Sequence, residues 1–351
     1  MKGVDRRGHR LHGIGWALLA GLVVSCQGSG RGEERDPSVF AEGLGDPAGI
    51  AVSAEGRVYV ADAKKGVVRV FDPLGRTLRN LGKGTLQNPL GVAIGHGGRI
   101  WVSDSIGDRI YVFDPGGRLV RAFGRSGEGP GMFSGAGPLA WSPTKSLYAI
   151  DIDHNRIQVF DTRGKLLRVF GKTGRFRDSA PGEFYWPGGI AVDAEGRVFV
   201  ADTHDFRIQR FSTEGKFEIQ FGYQGEGLGG FDHVFGLAVD DAKNLLYCAD
   251  DRVKLASGGR RVDVFTLDGK PLGSLAPEAD RPALIHPFDV AIAADGWILV
   301  TERGQGRVRR VDPTRLRVSA NDGKAPTSRA SSPRLETAPT SRPQPETRPA
   351  R

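Results

Sequence analysis

The chain of 351 residues is long enough to bury one large core or two ordinary ones. Hydrophobic residues make up 39% and charged residues 26%, while 51 Gly and 21 Pro require turns at short intervals, which excludes long helical bundles. The formal charge of +8 sits at the ends, because residues 1–25 and 321–351 each carry a net +3 and leave +2 on the middle, too near neutral for a nucleic-acid-binding face. Two cysteines, Cys26 and Cys248, exclude both a disulfide-dense scaffold and a four-thiolate zinc site.

The first element is a leader. Lys2, Arg6, Arg7 and Arg10 precede an apolar run over residues 14–24, the order of a secretory signal and too short for a bilayer span. The run ends in Val23-Val24-Ser25-Cys26. Branched apolar residues, a small residue and then Cys resemble the lipobox of bacterial lipoproteins. That resemblance implies that residues 1–25 are removed, that Cys26 becomes the lipid-modified first residue, and that Gln27 in place of Asp directs the protein to the outer membrane. Two or three acyl chains, at about 0.8 kcal/mol per buried CH₂, hold a protein on a membrane firmly. Residues 26–36 read as a flexible tether.

A repeat follows. Gly49-Ile50-Ala51-Val52 recurs as Gly91-Val92-Ala93-Ile94, Gly189-Ile190-Ala191-Val192, Gly236-Leu237-Ala238-Val239 and Asp289-Val290-Ala291-Ile292. Downstream, six short apolar strands end in an acid: Asp62, Asp104, Asp151, Asp202, Asp250 and Glu302, at spacings of 42, 47, 51, 48 and 52 residues. Nine residues beyond the acid stand Phe71, Phe113, Phe160, Phe211 and Val311; in the fifth unit an insertion around residues 254–259 delays Phe265. The spacing predicts about four short strands per unit, separated by Gly, Asp-Pro or Asp-Gly turns. Strands such as Val58 to Ala61 are apolar on both faces and need cover on both sides.

The succession Pro187-Gly188-Gly189-Ile190-Ala191-Val192, then Val200-Ala201-Asp202 and Arg207-Ile208-Gln209, resembles the NHL repeat, and six copies imply an all-β six-bladed β-propeller over residues 37–319. The third unit departs from the pattern around residues 138–146. Either Ser38-Val39-Phe40-Ala41 or Leu316-Arg317-Val318-Ser319 closes the ring, with the N-terminal segment expected. From residue 320 to 351 the chain lacks aromatics and is dominated by Pro, Ser, Thr, Arg and Ala, which predicts a disordered tail.

Candidate chemistry is weighed against this repeat. Six carboxylates invite a metal reading, yet each precedes a turn, and Arg109, Arg156, Arg207, Arg261 and Arg307 recur four residues before the Phe or Val. A group present in every blade is expected to stabilise blades, by acid–arginine pairs or by acid-to-amide bonds, rather than to catalyse. The residue three before each unit's opening position breaks the repeat, placing Asp46, His233 and His286 in adjoining blades on one rim. Two His and a carboxylate suit zinc or iron. The amidating lyase that cleaves peptidyl-hydroxyglycine is a six-bladed relative with His-liganded zinc; ordinary rim histidines are the plainer expectation. Gly124 to Gly131 lacks the Lys-Ser/Thr and helix of a phosphate loop and resembles an NHL inter-blade linker. Trp141, Tyr185, Trp186 and Phe235, with Phe184 and Phe231, either bind a peptide or glycan on one face or pack between blades. Cys248 takes the place of a core Val.

The sequence therefore predicts a monomeric, exported, lipid-anchored propeller without nucleic-acid partners and without a catalytic motif or obligatory cofactor. It is expected to bind a protein, peptide or glycan. The alternative is a metal-dependent enzyme, amidating-lyase-like or lactonase-like, at the channel rim.

Overall fold

The computed structural model describes residues 36–252, 260–275 and 283–317. The expected signal peptide, Cys26, the tether up to residue 35 and the tail lie outside the described residues, as does most of the insertion in the fifth unit.

Six four-stranded antiparallel sheets follow the six sequence units. The first blade comprises Pro47–Val52, Val58–Asp62, Val67–Phe71 and Thr77–Leu81. The fourth repeats it with Pro187–Val192, Val198–Asp202, Arg207–Phe211 and Phe217–Phe221, and the fifth with Val234–Asp240, Leu245–Asp250, Arg261–Thr266 and Pro271–Leu275. The third unit, irregular in sequence, forms a regular blade from Ala136–Trp141 to Leu166–Phe170, with Pro138 in the glycine position. In every blade the register of the first strand shifts near the opening residue, a bulge between Pro47 and Ile50 and at the same place in the other five.

First strands line a narrow central channel of about 50 Å³ through Gly49, Gly91, Pro138, Gly189, Gly236 and Asp289. Glycine is needed there because the neighbouring first strand lies against it. A Cβ on Gly49 would sit 2.6 Å from the Leu90 carbonyl oxygen, and one on Gly91 would sit 2.9 Å from that of Gly137. In the sixth blade Asp289 replaces glycine. Its two carboxylate oxygens accept the amides of Ile50 and Val290, each at 2.9 Å, tying blade six to the adjacent first strand of blade one. Burial pushes the Asp289 carboxyl up to about 7 against the pull of those two amides.

Second strands are buried almost throughout, while the outer strands alternate exposed and half-buried residues in the first three blades and are half-buried in blades four and five. Apolar side chains from the two facing blades meet in six clusters, one per inter-blade interface. Cys248 is buried in the cluster between blades four and five, and burial pushes its thiol well above the ordinary range, so it acts as a small apolar side chain. Arginines on the outer half of one blade also grip the next blade's last turn. Arg79 donates to the carbonyls of Gly116 and Pro115, Arg121 to that of Arg163, Arg168 to that of Thr213 and Arg210 to that of Leu267.

The N-terminal strand Val39–Ala41 pairs with Arg307–Val311 and supplies the fourth strand of blade six, resolving which segment closes the ring. Leu316–Arg317 instead pairs with Ser274 and Leu275, giving blade five a fifth strand.

Candidate functional site

The six repeated acids end their second strands fully buried. Each accepts amide N–H groups from the segment that enters its own blade. Asp62 takes those of Gly45 and Asp46, Asp104 those of Gln87 and Asn88, and Asp151 that of Ser134. Asp202 takes the amide of Tyr185, Asp250 those of Asp232 and His233, and Glu302 that of Ile285. Arg156, Arg207 and Arg307 pair with Asp151, Asp202 and Glu302 as the repeat predicts. Two positions differ. Arg109 is exposed at its strand end, where Asp104 is held by three amides including that of Gly107. Arg261 turns to Asp263 at 2.6 Å, and Asp250 takes Arg252 at 2.7 Å, because the insertion of blade five begins at the loop that carries Arg252. Burial raises the Asp202 carboxyl to about 6 against Arg207 and the Tyr185 amide.

Asp46, His233 and His286 occupy the expected rim, but their side chains take separate partners. His286 Nδ1 lies 2.8 Å from Asp251, which also receives Arg260. Asp46 receives both Nε and Nη2 of Arg303. His233 Nδ1 is buried without a hydrogen-bond partner, 3.6 Å from Asp232, and its ring faces His204 at 6.2 Å. Among the described residues the one set of three His, Cys, Asp or Glu whose ligand atoms lie within 4.8 Å of one another is Asp193, Glu195 and Asp241. Asp193 there is paired with Arg197, and Asp241 accepts the amide of Ala194. The rim trio as placed does not fit a zinc or iron ion.

The aromatic candidates divide. Trp141 stands at the far end of its strand, paired with Leu147, and packs against Trp101 at 5.2 Å between blades two and three. Phe184 and Phe231 are fully buried at blade interfaces. Tyr185, Trp186 and Phe235 remain on the face formed by the blade-entry segments and the loops after the second strands. There Tyr185 lines an open groove of about 330 Å³ with Phe176, Arg177, His204, Phe206, Gln224, Asp232 and His233.

Local structure explains the position of each group. The segment between blades three and four is long, and Arg177, with φ of 63°, donates its amide to Asp205 at 2.6 Å, which brings Phe176 over the groove. Trp186 has φ of 60°, its amide held at 2.6 Å by Asn155 of the preceding blade, and its ring stacks 4.5 Å from His204 while 44% exposed. His204 sits in the short 3₁₀ turn Thr203–Asp205, beside Tyr185 and Phe176. Burial first, and then neighbouring His233, hold the His204 imidazole below its ordinary pKa, which favours the neutral ring. A ladder of rings continues toward the channel, from His233 to Phe235 at 6.5 Å and Phe288 at 5.3 Å, where Arg303 lies 4.7 Å over the last ring. The arrangement is suited to flat or cationic groups that stack on rings, with polar atoms at the edges.

Sequence reasoning did not single out His204, Phe176, Arg177 or Gln224. A signal was present: the fourth unit ends the loop after its acid in Phe206, where the other units have Gly66, Asp108, Asn155, Lys254 and Gly306.

Comparison with known proteins agrees with this architecture. Residues 184–211, which span the blade-four entry and its first three strands, match the NHL repeat model. Over 45 residues, 13% of this chain, the sequence is 49% identical to Protein brain tumor of Drosophila melanogaster, a match covering 4% of that protein's length. Virginiamycin B lyase from Staphylococcus aureus superposes with a TM-score of 0.56 at 16% identity, over 78% of this chain and 83% of the lyase. A gluconolactonase from Xanthomonas campestris superposes with a TM-score of 0.58 at 15% identity, over 78% of this chain and 88% of that one. The repeat match and the six blades support an NHL-type propeller; the structural likenesses speak for the fold alone.

Proposed function

We propose that this propeller is a binding module, exported and anchored to the bacterial envelope through a lipid on Cys26, that takes a peptide or glycan partner in the groove between blades four and five. The single observation carrying the binding role is that groove. Phe176 is exposed there and Tyr185, His204 and His233 are half-buried, polar groups stand among the rings, and three non-glycine residues with left-handed backbone, Arg177, Trp186 and Phe206, lie in or beside it. The repeated acids support the same reading by being used up in holding blades together.

Two experiments test this. Labelled palmitate should enter the wild-type chain in its native host and be lost with Cys26→Ser; retention of label by that variant would refute the anchor. Glycan and peptide arrays probed with wild type and with Trp186→Ala should give hits that the variant loses, and hits unaffected by Trp186→Ala would move binding off the groove.

A second reading is a metal-dependent enzyme resembling a lyase or lactonase. It draws on the lyase and the gluconolactonase among proteins of similar fold. Its ion would have to be held by residues other than Asp46, His233 and His286 as placed. Metal analysis of chelator-free protein separates the readings: stoichiometric zinc or iron favours the enzyme, and its absence favours the binding module.

A further inference from the structure

We infer that the C-terminal strand Leu316–Arg317 is a strap that braces blade five to blade six, doing at that boundary what an arginine does at the boundaries before it. The strand register fixes the comparison. In the fourth strands of blades one, two and three, the residues opposite Val70, Val112 and Val159 are Arg79, Arg121 and Arg168. Each guanidinium donates to a carbonyl in the last turn of the next blade. Blade four carries its guanidinium one strand further in: Arg210 faces Ile219 and reaches Leu267 and Asp268 of blade five. In blade five the same pair is Val264 and Gly273, so no arginine stands there to reach the last turn of blade six.

The chain itself lies in that place. On leaving the last turn of blade six, Leu316 and Arg317 pair with Leu275 and Ser274 on the outer edge of blade five. That edge is shaped to receive them. A Cβ on Gly273 would sit 2.6 Å from the Arg317 carbonyl oxygen and 3.1 Å from Leu316 Cγ, so the arginine of the other blades and the strap exclude one another.

The last turn of blade six is altered to match. In blades two to five the turn closes at Gly117, Gly164, Gly215 or Gly269, with φ between 79° and 90°, and that glycine returns its amide to the first residue of the turn. In blade six Arg315 takes the glycine's place and returns its amide to Asp312. A side chain resists the left-handed backbone that swings the chain back along its own blade. The chain goes to blade five, and Val39–Ala41 fills the fourth place in blade six. Every sheet has its four strands without the strap, so the circle is closed and the strap braces one boundary of it. Residues 318–351 follow it directly in the sequence, so a pull on them reaches this boundary first.

The test uses the full chain. Leu316→Pro combined with Arg317→Pro unseats the strap, because two successive prolines leave it no backbone N–H to donate whichever residue faces blade five. Gly273→Ala unseats it from the other side with a single methyl. Amide exchange read by mass spectrometry follows each strand, and thermal melts establish that each variant is folded. The expected result is exchange about tenfold faster in Arg307–Val311 of blade six as well as in Pro271–Leu275, with Arg156–Phe160 of blade three unchanged. Faster exchange confined to Pro271–Leu275 overturns the inference, because the strand then only covers an edge. Gly273→Arg supplies the second arm. Added to the double proline variant, where the strand is free to take the backbone of Arg79, Arg121 and Arg168, it should restore protection of Arg307–Val311 by supplying the missing grip. In the otherwise wild-type chain it should reduce that protection by evicting the strap. The same effect in both backgrounds overturns the inference, and so does loss of the whole fold in Gly273→Ala, since the circle is then not closed without the strap.

Discussion

Asp289 is the sharpest place to test how the ring is held. Its carboxyl rises from 3.8 to about 7 because it is buried among first strands, and two amides offset only part of that cost. A raised folded-state pKa means that the folded protein binds more protons than the unfolded chain between about pH 4 and 7. Stability from this group is thus full below pH 4 and lost as pH rises through 7. At 1.36 kcal/mol per unit, a displacement from 3.8 to about 7 amounts to about 4 kcal/mol. That is an upper bound, because the side chain keeps part of its surface on the channel, whose 50 Å³ admits a water or two. Asp289→Asn mimics the protonated acid at every pH and gives up one acceptor, a constant loss of about 1 kcal/mol. Urea midpoints read by tryptophan fluorescence should show wild type equal to or more stable than the variant at pH 4.5, and the variant gaining by about 2 to 4 kcal/mol by pH 8. Asp202 and Asp263, raised to about 6 and about 7 by burial, titrate in the same sense, and the comparison at each pH cancels them. A wild-type-to-variant difference that stays constant over this range would refute the argument.

Other outcomes follow from the same coordinates. Gly49→Ala places a methyl 2.6 Å from the Leu90 carbonyl oxygen and should cost about 2 kcal/mol, whereas Gly129→Ala, with nothing nearer than 3.5 Å and no left-handed backbone, should leave the melting temperature in place. Arg207→Met leaves the Asp202 carboxylate buried without its cation, so a loss of about 3 kcal/mol in denaturant unfolding is expected at about pH 8; a loss under about 1 kcal/mol would contradict the stapling role. His204, held below its ordinary 6.5, should titrate by NMR below that value, and its favouring of the fold should be complete above pH 6.5 and fade as pH falls through the lowered pKa. A midpoint at or above 6.5 would overturn that placement.

What the sequence could show, and what it could not, divides along one physical line. Strand positions and the buried acids were readable because each is set by a local pattern repeated six times; which terminus closes the ring stayed open between two segments, because the closing strand occurs once. Asp202 and Arg207 lie in one repeat at fixed spacing and meet as the spacing implies. Arg79, Arg121 and Arg168 recur at the middle of the fourth strand in blades one to three, so their grip on the next blade follows the period too, but each acceptor is a backbone carbonyl 36 to 45 residues on, which no side-chain pattern marks. Arg252 displaced Arg261 because an insertion moved a competing guanidinium next to Asp250. Trp141 and Trp186 looked alike as aromatic residues near a blade's first strand; one ends that strand and the other precedes it, which puts them on opposite faces. The groove was half visible, through Tyr185, Trp186 and His233, and half hidden, because Phe176 and Arg177 enter it by a long linker outside the repeat.

The closing of the ring by Val39–Ala41 has a mechanical meaning. Three residues, bound to Arg307–Val311 along one edge, form the seam of the ring at blade six. The other end of the described chain, Leu316–Arg317, lies instead on the flank of blade five. A pull applied through the N-terminus therefore loads the seam directly and opens the circle where it is thinnest, while a pull through the C-terminus must first peel a strand that the circle does not need. The same molecule is weak when drawn from one end and shielded when drawn from the other.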